Sequence, residues 1–391
     1  MSQIPQDFDP EQPEDFDSAY AEYARLRREC PVAHTDGLGG FWALTRYEDV
    51  KRAASDPTFV TSVQNVVPKV AFTGRRPPLH LNPPEHTPYR RALNPLLAID
   101  RAEALAPHTR DLSRKLLAPM VERGGGDICV EFSSYLPVHV FGEWMRMPEE
   151  SLQTLHDAGR AFILAVHSTK PESMKETSLR LYDMARDLIA LRHREPQDPA
   201  NDPTSALLAA RHNGEPLPDD MILGTVRQVL VVGMVAPMVM IGNIAVHLSR
   251  DQALQQRLRD DPSLVPAANE EFLRLYTPYR GFARTPVCPV EMGGRTIGKD
   301  EAVALVYASA NRDDDVFPNG SEFIMSRPNI GEHLAFGRGP HNCPGLHIGR
   351  MQLRVAMEEI LAATTRFELD GEVVMSRWPE IGALSVPLRF A

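Results

Sequence analysis

FGRGPHNCPG, Phe336 to Gly345, is the stretch that decides how this chain is read. Gly337 and Gly339 flank Arg338, so the backbone there can turn tightly and come close to a flat partner. A helix is expected straight after Cys343. Leu346, Leu353, Met357, Ile360 and Leu361 recur at roughly helical spacing, with Arg350, Arg354, Glu358 and Glu359 between them. A cysteine just ahead of a helix N-terminus sits where the dipole and free N–H groups favour an anion, which predicts a thiolate. A thiolate on a loop is what an axial ligand to heme iron needs. Taken alone, Cys343 admits a second reading, a buried structural cysteine beside a glycine-rich turn, because free cysteine is among the most buried residue types.

Working outward, the composition narrows the class. At 391 residues the length by itself allows two or three domains, but no stretch reads as a hinged linker, so a single domain over residues 1–391 is expected. Hydrophobic residues make up 43% of the chain, enough for a large core. The net charge of −10 argues against broad nucleic-acid affinity. Cys30, Cys129, Cys288 and Cys343 are widely spaced with no CxxC pair, which fits a reducing compartment rather than a disulfide framework. The opening MSQIPQDFDPEQPEDFDSAY is acidic and lacks the pattern of a signal peptide or anchor, so a cytoplasmic protein is expected.

In chain order, Ser18 to Cys30 reads as a helix, Phe41 to Thr45 as a strand and Tyr47 to Ala54 as a helix. Thr58 to Pro84 is proline-rich and aperiodic, a long loop, and such loops are functional or mobile. His86 and Arg90 are four apart and share a helix face. Helices continue through Ala102 to Arg123 and break at the three glycines 124–126. An aromatic segment with Phe132, Tyr135, Phe141 and Trp144 follows, then the apolar stretch Ala158 to Val166 and a loop from Pro196 to Pro203. Arg227 to His247 is apolar enough for a membrane span. Gly233 and Pro237 interrupt it and no second span exists, so a buried central helix is the reading adopted. Glu271 and Arg274 stand at i and i+3, and Val290 to Ile297 reads as a hairpin around Gly293-Gly294. Strands are expected in the tail, Glu380 to Leu388.

The ten-residue string resembles the heme-binding loop of the cytochrome P-450 family, Phe-Gly-x-Gly-x-His-x-Cys-x-Gly, with every fixed position matched. NPPEHTPYRRALNPLL is similar to the family's His-x-x-x-Arg helix, EEFLR to its Glu-x-x-Arg pair, and ASANRD to a stretch before the cysteine loop. The resemblance covers about the whole chain. It implies a mainly α fold with small β-sheets and a heme b held between the central helix and the cysteine loop. Cys343 would be the proximal ligand. His86, Arg90, Arg284 and His341 would reach the propionates, and Phe336 would pack at the heme. The loop with Val63, Val66, Val67, Val70 and Phe72 would roof the substrate pocket, and Tyr279, Phe282, Ala283, Ile381 and Leu384 would reach it. Met234, Val235 and Met238 would line it from the central helix.

The implied reaction is insertion of one oxygen atom from O2 into a small apolar organic substrate. No flavin or iron–sulfur motif is present, so electrons are expected from a separate ferredoxin and ferredoxin reductase. Arg338, Arg350 and Arg354 would offer a basic docking face, unless they are ordinary surface arginines. A monomer with no membrane or nucleic-acid partner is expected. One departure stands out. Where the family usually has Ala-Gly-x-Glu/Asp-Thr, an acid–alcohol pair for proton delivery, this chain reads Val232-Gly233-Met234-Val235-Ala236-Pro237. That keeps open an enzyme that uses peroxide or catalyses a coupling or rearrangement, with a non-catalytic heme sensor as a further alternative. Pro344 is also unusual: it lacks an N–H towards the sulfur, and it reads equally well as a helix start.

Overall fold

The longest apolar run folds as the longest helix of the computed structural model, which describes residues 6–12 and 14–391. In chain order the helices are α1 (Ser18–Glu29), α2 (Tyr47–Ser55), α3 (Thr87–Leu93), α4 (Ile99–Ala104), α5 (Ala106–Arg123), α6 (Leu136–Trp144) and α7 (Leu152–His167). They continue as α8 (Pro171–Arg194), α9 (Pro203–Ala209), α10 (Asp219–Arg250), α11 (Gln252–Asp260), α12 (Val265–Leu275), α13 (Tyr307–Ala310) and α14 (Leu346–Ala363). The largest sheet runs Val32–Thr35, Phe41–Leu44, Val303–Leu305, Ala283–Pro286, Phe59–Val60. The fold is mainly α with small β-sheets.

Helix α10 organises the core. Among the described residues it is the one helix long and apolar enough to cross a membrane, yet 83% of its apolar window is buried inside the protein. Asp219 and Asp220 in its first turn and Arg250 in its last suit the helix dipole. Small residues let its neighbours close in. A Cβ on Gly233 would lie 2.0 Å from the Phe141 ring, and one on Gly159 of α7 would lie 2.0 Å from the Met234 methyl. Pro237 sits inside α10 and removes the N–H that would bond the Gly233 carbonyl.

A buried charge hub supports the other side. Glu271 on α12 is fully buried and pairs with Arg274 at 2.7 Å and with Arg327 at 2.8 Å. Arg274 also donates to the carbonyls of Asn311, Gly320 and Glu322. The Glu-x-x-Arg pair therefore pins the irregular segment that leads into the cysteine loop.

Several local expectations change. The helices expected over 102–123 are α4 and α5, the second started by Pro107 at its second position. The glycine break is a strand, Gly125–Asp127, paired with the tail strand Pro387–Phe390. In the long loop, Val67 is buried, but Val63 is 48% and Phe72 74% exposed, so these two face solvent rather than the interior. The helix after Cys343 begins at Leu346 with Gly345 as its N-cap, which leaves Pro344 in the preceding turn and not at the first helical position.

Candidate active site

The cysteine loop is shaped by its glycines. Gly337 and Gly339 adopt φ of 69° and 72°, a region that favours glycine. A Cβ on Gly339 would lie 2.6 Å from the Ala54 carbonyl oxygen, so only glycine lets the loop rest on the end of α2. The Cys343 N–H donates to the Phe336 carbonyl at 2.8 Å and closes the loop. The two residues of the His-x-x-x-Arg helix also meet it. Arg90 donates to the Asn342 carbonyl at 2.9 Å, and His86 Nε2 lies 3.3 Å from the Pro340 carbonyl. Behind the loop, Arg350 pairs with Glu270 at 2.6 Å and lies 4.6 Å over the Phe336 ring.

Burial pushes the Cys343 thiol up, against the opposing pull of the Gly345 N–H and the Arg90 and Arg350 charges. The helix start three residues further on does not offset that burial; a bound metal ion would, since coordination deprotonates a thiol.

Four basic side chains gather round this loop, and none of the four is ion-paired with a carboxylate among the described residues. Arg284, on the strand Ala283–Pro286, is buried and donates only to the Ala283 carbonyl, at 2.9 Å. Burial pulls its pKa down, and only the Tyr307 hydroxyl opposes this. Arg90 is likewise pulled down by burial. His341 is pushed down to about 3 by burial and then by Arg284, His86 and Arg90, so its ring is neutral. It lies 3.3 Å from Thr61 Oγ1, with its ring centroid 5.3 Å from that of His86. Two guanidiniums and two imidazoles with no carboxylate among them are costly to bury, and they suit a partner with two negative charges. That donor set fits the propionates of a heme, and Cys343 beside it fits the iron.

The pocket residues fall into separate places. The Val67 N–H donates to the Gly281 carbonyl at 2.8 Å. Val66 bridges to Phe282, whose ring lies 4.4 Å from that of Tyr279, and Tyr279 bridges to Glu380 of the tail. Long loop, strand entry and tail thus converge. Met234, Met238 and Leu384 instead line a cavity of about 90 Å³ with His156 and Arg160. Val235 is buried on α10. Val232, 45% exposed on an otherwise buried helix, and Ala236 one turn on mark where α10 opens, a phase the apolar run did not disclose.

The sequence model of the family described as cytochrome P-450 matches residues 240–377. The chain is 32% identical to cytochrome P-450 107B1 of Saccharopolyspora erythraea, over 88% of this chain and 89% of that protein. It is also 32% identical to the mycinamicin IV hydroxylase/epoxidase of Micromonospora griseorubida, over 94% of this chain and 93% of that one. Among solved structures, a mutant of P-450 EryK in complex with erythromycin B superposes with a TM-score of 0.86 at 26% identity, covering 95% of this chain and 96% of that chain. With this identity spread over nearly the whole length, and two buried guanidiniums without carboxylates beside the cysteine loop, the chain belongs to the cytochrome P-450 family of heme-binding monooxygenases.

Proposed function

We propose that Cys343 is the axial thiolate of a heme b, that Arg284, Arg90, His86 and His341 hold its propionates, and that Phe336 packs against it. The observation that carries this is the convergence of those unneutralised donors on the loop of Cys343. Bound there, heme supplies reductive activation of O2 and insertion of one oxygen atom into a small organic substrate. The chain's own part is to hold the cysteine in a closed loop and to exclude water with the buried contacts of Val67, Phe282 and Ile381. The Gly345 N–H lies towards the sulfur while Pro344 offers none, so the sulfur keeps more of its electron density.

Electrons come from a ferredoxin and its reductase in the cytoplasm, to a monomeric enzyme. Of the three basic residues expected at a docking face, Arg350 is tied to Glu270 and Arg354 to Glu103. Arg338 is exposed and has no ion pair among the described residues, so the steering charge is concentrated there.

A second reading, use of peroxide or an oxidative coupling, is favoured by one observation. At the positions of the acid–alcohol pair, α10 carries buried Val235 and partly buried Ala236, neither of which can pass a proton. NADH consumption with a surrogate ferredoxin and reductase, compared with turnover driven by hydrogen peroxide, separates the two. Product formed with NADH supports the monooxygenase, and product formed only with peroxide overturns it.

Arg284→Ala is expected to weaken heme retention by about 10- to 100-fold, the range for losing a charged hydrogen bond. Heme transfer to apomyoglobin measures it. An unchanged transfer rate would mean the propionates are held elsewhere.

A further inference from the structure

A second group of buried cations lies where the long loop before α3 meets α7, α8 and α10. Arg227, on α10, is completely buried. Its Nη2 donates to Ser178 Oγ at 2.9 Å, and its guanidinium lies 4.5 Å from the Phe162 ring centroid and 5.8 Å from that of Tyr182. Its Nε and Nη1 have no partner. Arg76, only 7% exposed, has Nη2 at 3.1 Å from His80 Nε2 and an unpartnered Nε. The buried Tyr182 hydroxyl is unpartnered as well.

Two glycines hold the loop against the helices. A Cβ on Gly74 would meet the Tyr182 hydroxyl at 2.6 Å, and one on Gly224 would meet the Arg75 carbonyl oxygen at 1.9 Å. The arginines are therefore built into the interior and do not simply fold back from the surface. No carboxylate pairs with Arg76 or Arg227 among the described residues. Burial and then the charge of Arg76 pull the Arg227 pKa well down. His80 is pushed down to about 3 by burial and by both arginines, so it adds no charge. Two like charges buried side by side destabilise the fold unless an anion joins them.

The cluster lies on the side of α10 that leads round to the exposed Val232. At 3.6 residues per turn, Arg227, Val231, Val235, Gln228 and Val232 follow one another round one side of the helix, ending at the opening by Val232. Gln228 is buried too, with Oε1 unpartnered. The loop that carries Arg76 also carries Val66, which bridges to Phe282, and Val67, whose N–H donates to the Gly281 carbonyl.

We propose that Arg227 and Arg76, with the Tyr182 hydroxyl, bind a carboxylate on the substrate, so that the molecule oxidised is an organic acid with an apolar body rather than a wholly apolar one. This deepens the monooxygenase reading and rests on it for the word substrate. The apolar walls, Phe162 above all, favour a weakly hydrated carboxylate over a multiply charged phosphate.

The test uses the heme-loaded protein and matched probes, decanoate and 4-phenylbutanoate, each against its methyl ester. Binding is read by equilibrium dialysis and by the change in the heme absorption spectrum. At least one acid is expected to bind about 10-fold or more tightly than its ester, as charged hydrogen bonds require. That ratio should fall to about one in Arg227→Met and in Arg76→Met if both arginines pair with the carboxylate. Either variant alone suffices should the other fail to fold. The ligand-free variants should also unfold at the same or a higher temperature, because a site built for a ligand is held at a cost in stability. Esters binding as tightly as acids for both pairs, or an acid preference that survives both substitutions, would overturn the proposal. The ferrous–CO spectrum of the unmutated protein keeps the two readings apart. Its failure to show a thiolate would sink the heme-thiolate assignment while leaving the acid preference measured by dialysis to stand or fall alone.

Discussion

Cys343→Ser is expected to abolish the thiolate signature of the ferrous–CO complex and to reduce NADH-driven product formation to the level seen without the protein. The loop itself should survive the change. Its closing hydrogen bond runs from the Cys343 N–H to the Phe336 carbonyl, and both groups are backbone. Its outer anchors, Arg90 on the Asn342 carbonyl and His86 near that of Pro340, are equally indifferent to the side chain. A serine hydroxyl keeps the volume and can still accept from the Gly345 N–H, but it does not ionise near neutral pH as a coordinated thiol does. Some heme should therefore remain bound through the propionate contacts, without the electron push of sulfur. Absorption spectroscopy of the reduced, CO-treated variant decides the matter, and persistence of the thiolate signature would disprove the assignment of the ligand.

The second large effect lies away from the site. Glu271→Ala should destabilise the protein by about 3–5 kcal/mol, the range for breaking a buried ion pair. Two guanidiniums, Arg274 and Arg327, lose their shared carboxylate at once, and the Ile324 N–H loses its acceptor. Against a net stability of about 5–15 kcal/mol, that is a large fraction, and much of the expressed protein should lack heme. Glu270→Gln offers the contrast. Its side chain is 25% exposed and its pair with Arg350 lies nearer the rim, so water covers part of the loss. Denaturant titration of both variants compares them, and a change below about 1 kcal/mol for Glu271→Ala, the scale of an exposed pair, would show that the hub does not hold the fold.

How much was legible follows from what is local in the chain. The cysteine loop, the Gly293-Gly294 hairpin and α10 each declare themselves within a few turns or a short string, and the first two are found close to their expected bounds, while α10 runs two turns further at its start. The family resemblance supplied what spacing could not, that His86, Arg90, Arg284 and His341 meet across some 250 residues of chain, as the contacts of His86 and Arg90 with the cysteine loop illustrate. Helical phase was harder. An apolar run that is hydrophobic all round does not say which side faces which neighbour, so nothing in it singles out Val232 as the exposed position. In the long loop no periodicity separated buried Val67 from exposed Val63 and Phe72. The apolar run begins at Arg227, although α10 begins at Asp219 and that arginine lies well inside it. A charge within a buried helix was the available signal.

The hub also bears on the order in which the molecule assembles. Glu271, Arg274, Asn311, Gly320, Glu322 and Arg327 lie within one stretch of chain, and the segment that bears Cys343 follows directly. Closing that stretch costs little entropy compared with bringing in His86 and Arg90, which are 254 and 252 residues from their loop partners. On a growing chain the N-terminal helices exist first, but they have no cysteine loop to close upon until the hub is made. Contacts of short sequence separation form fastest, so the platform under Cys343 is set early and α3 docks late. A chain in which α3 has not yet docked would hold the thiol in place but accessible from one side, open to a flat, insoluble cofactor.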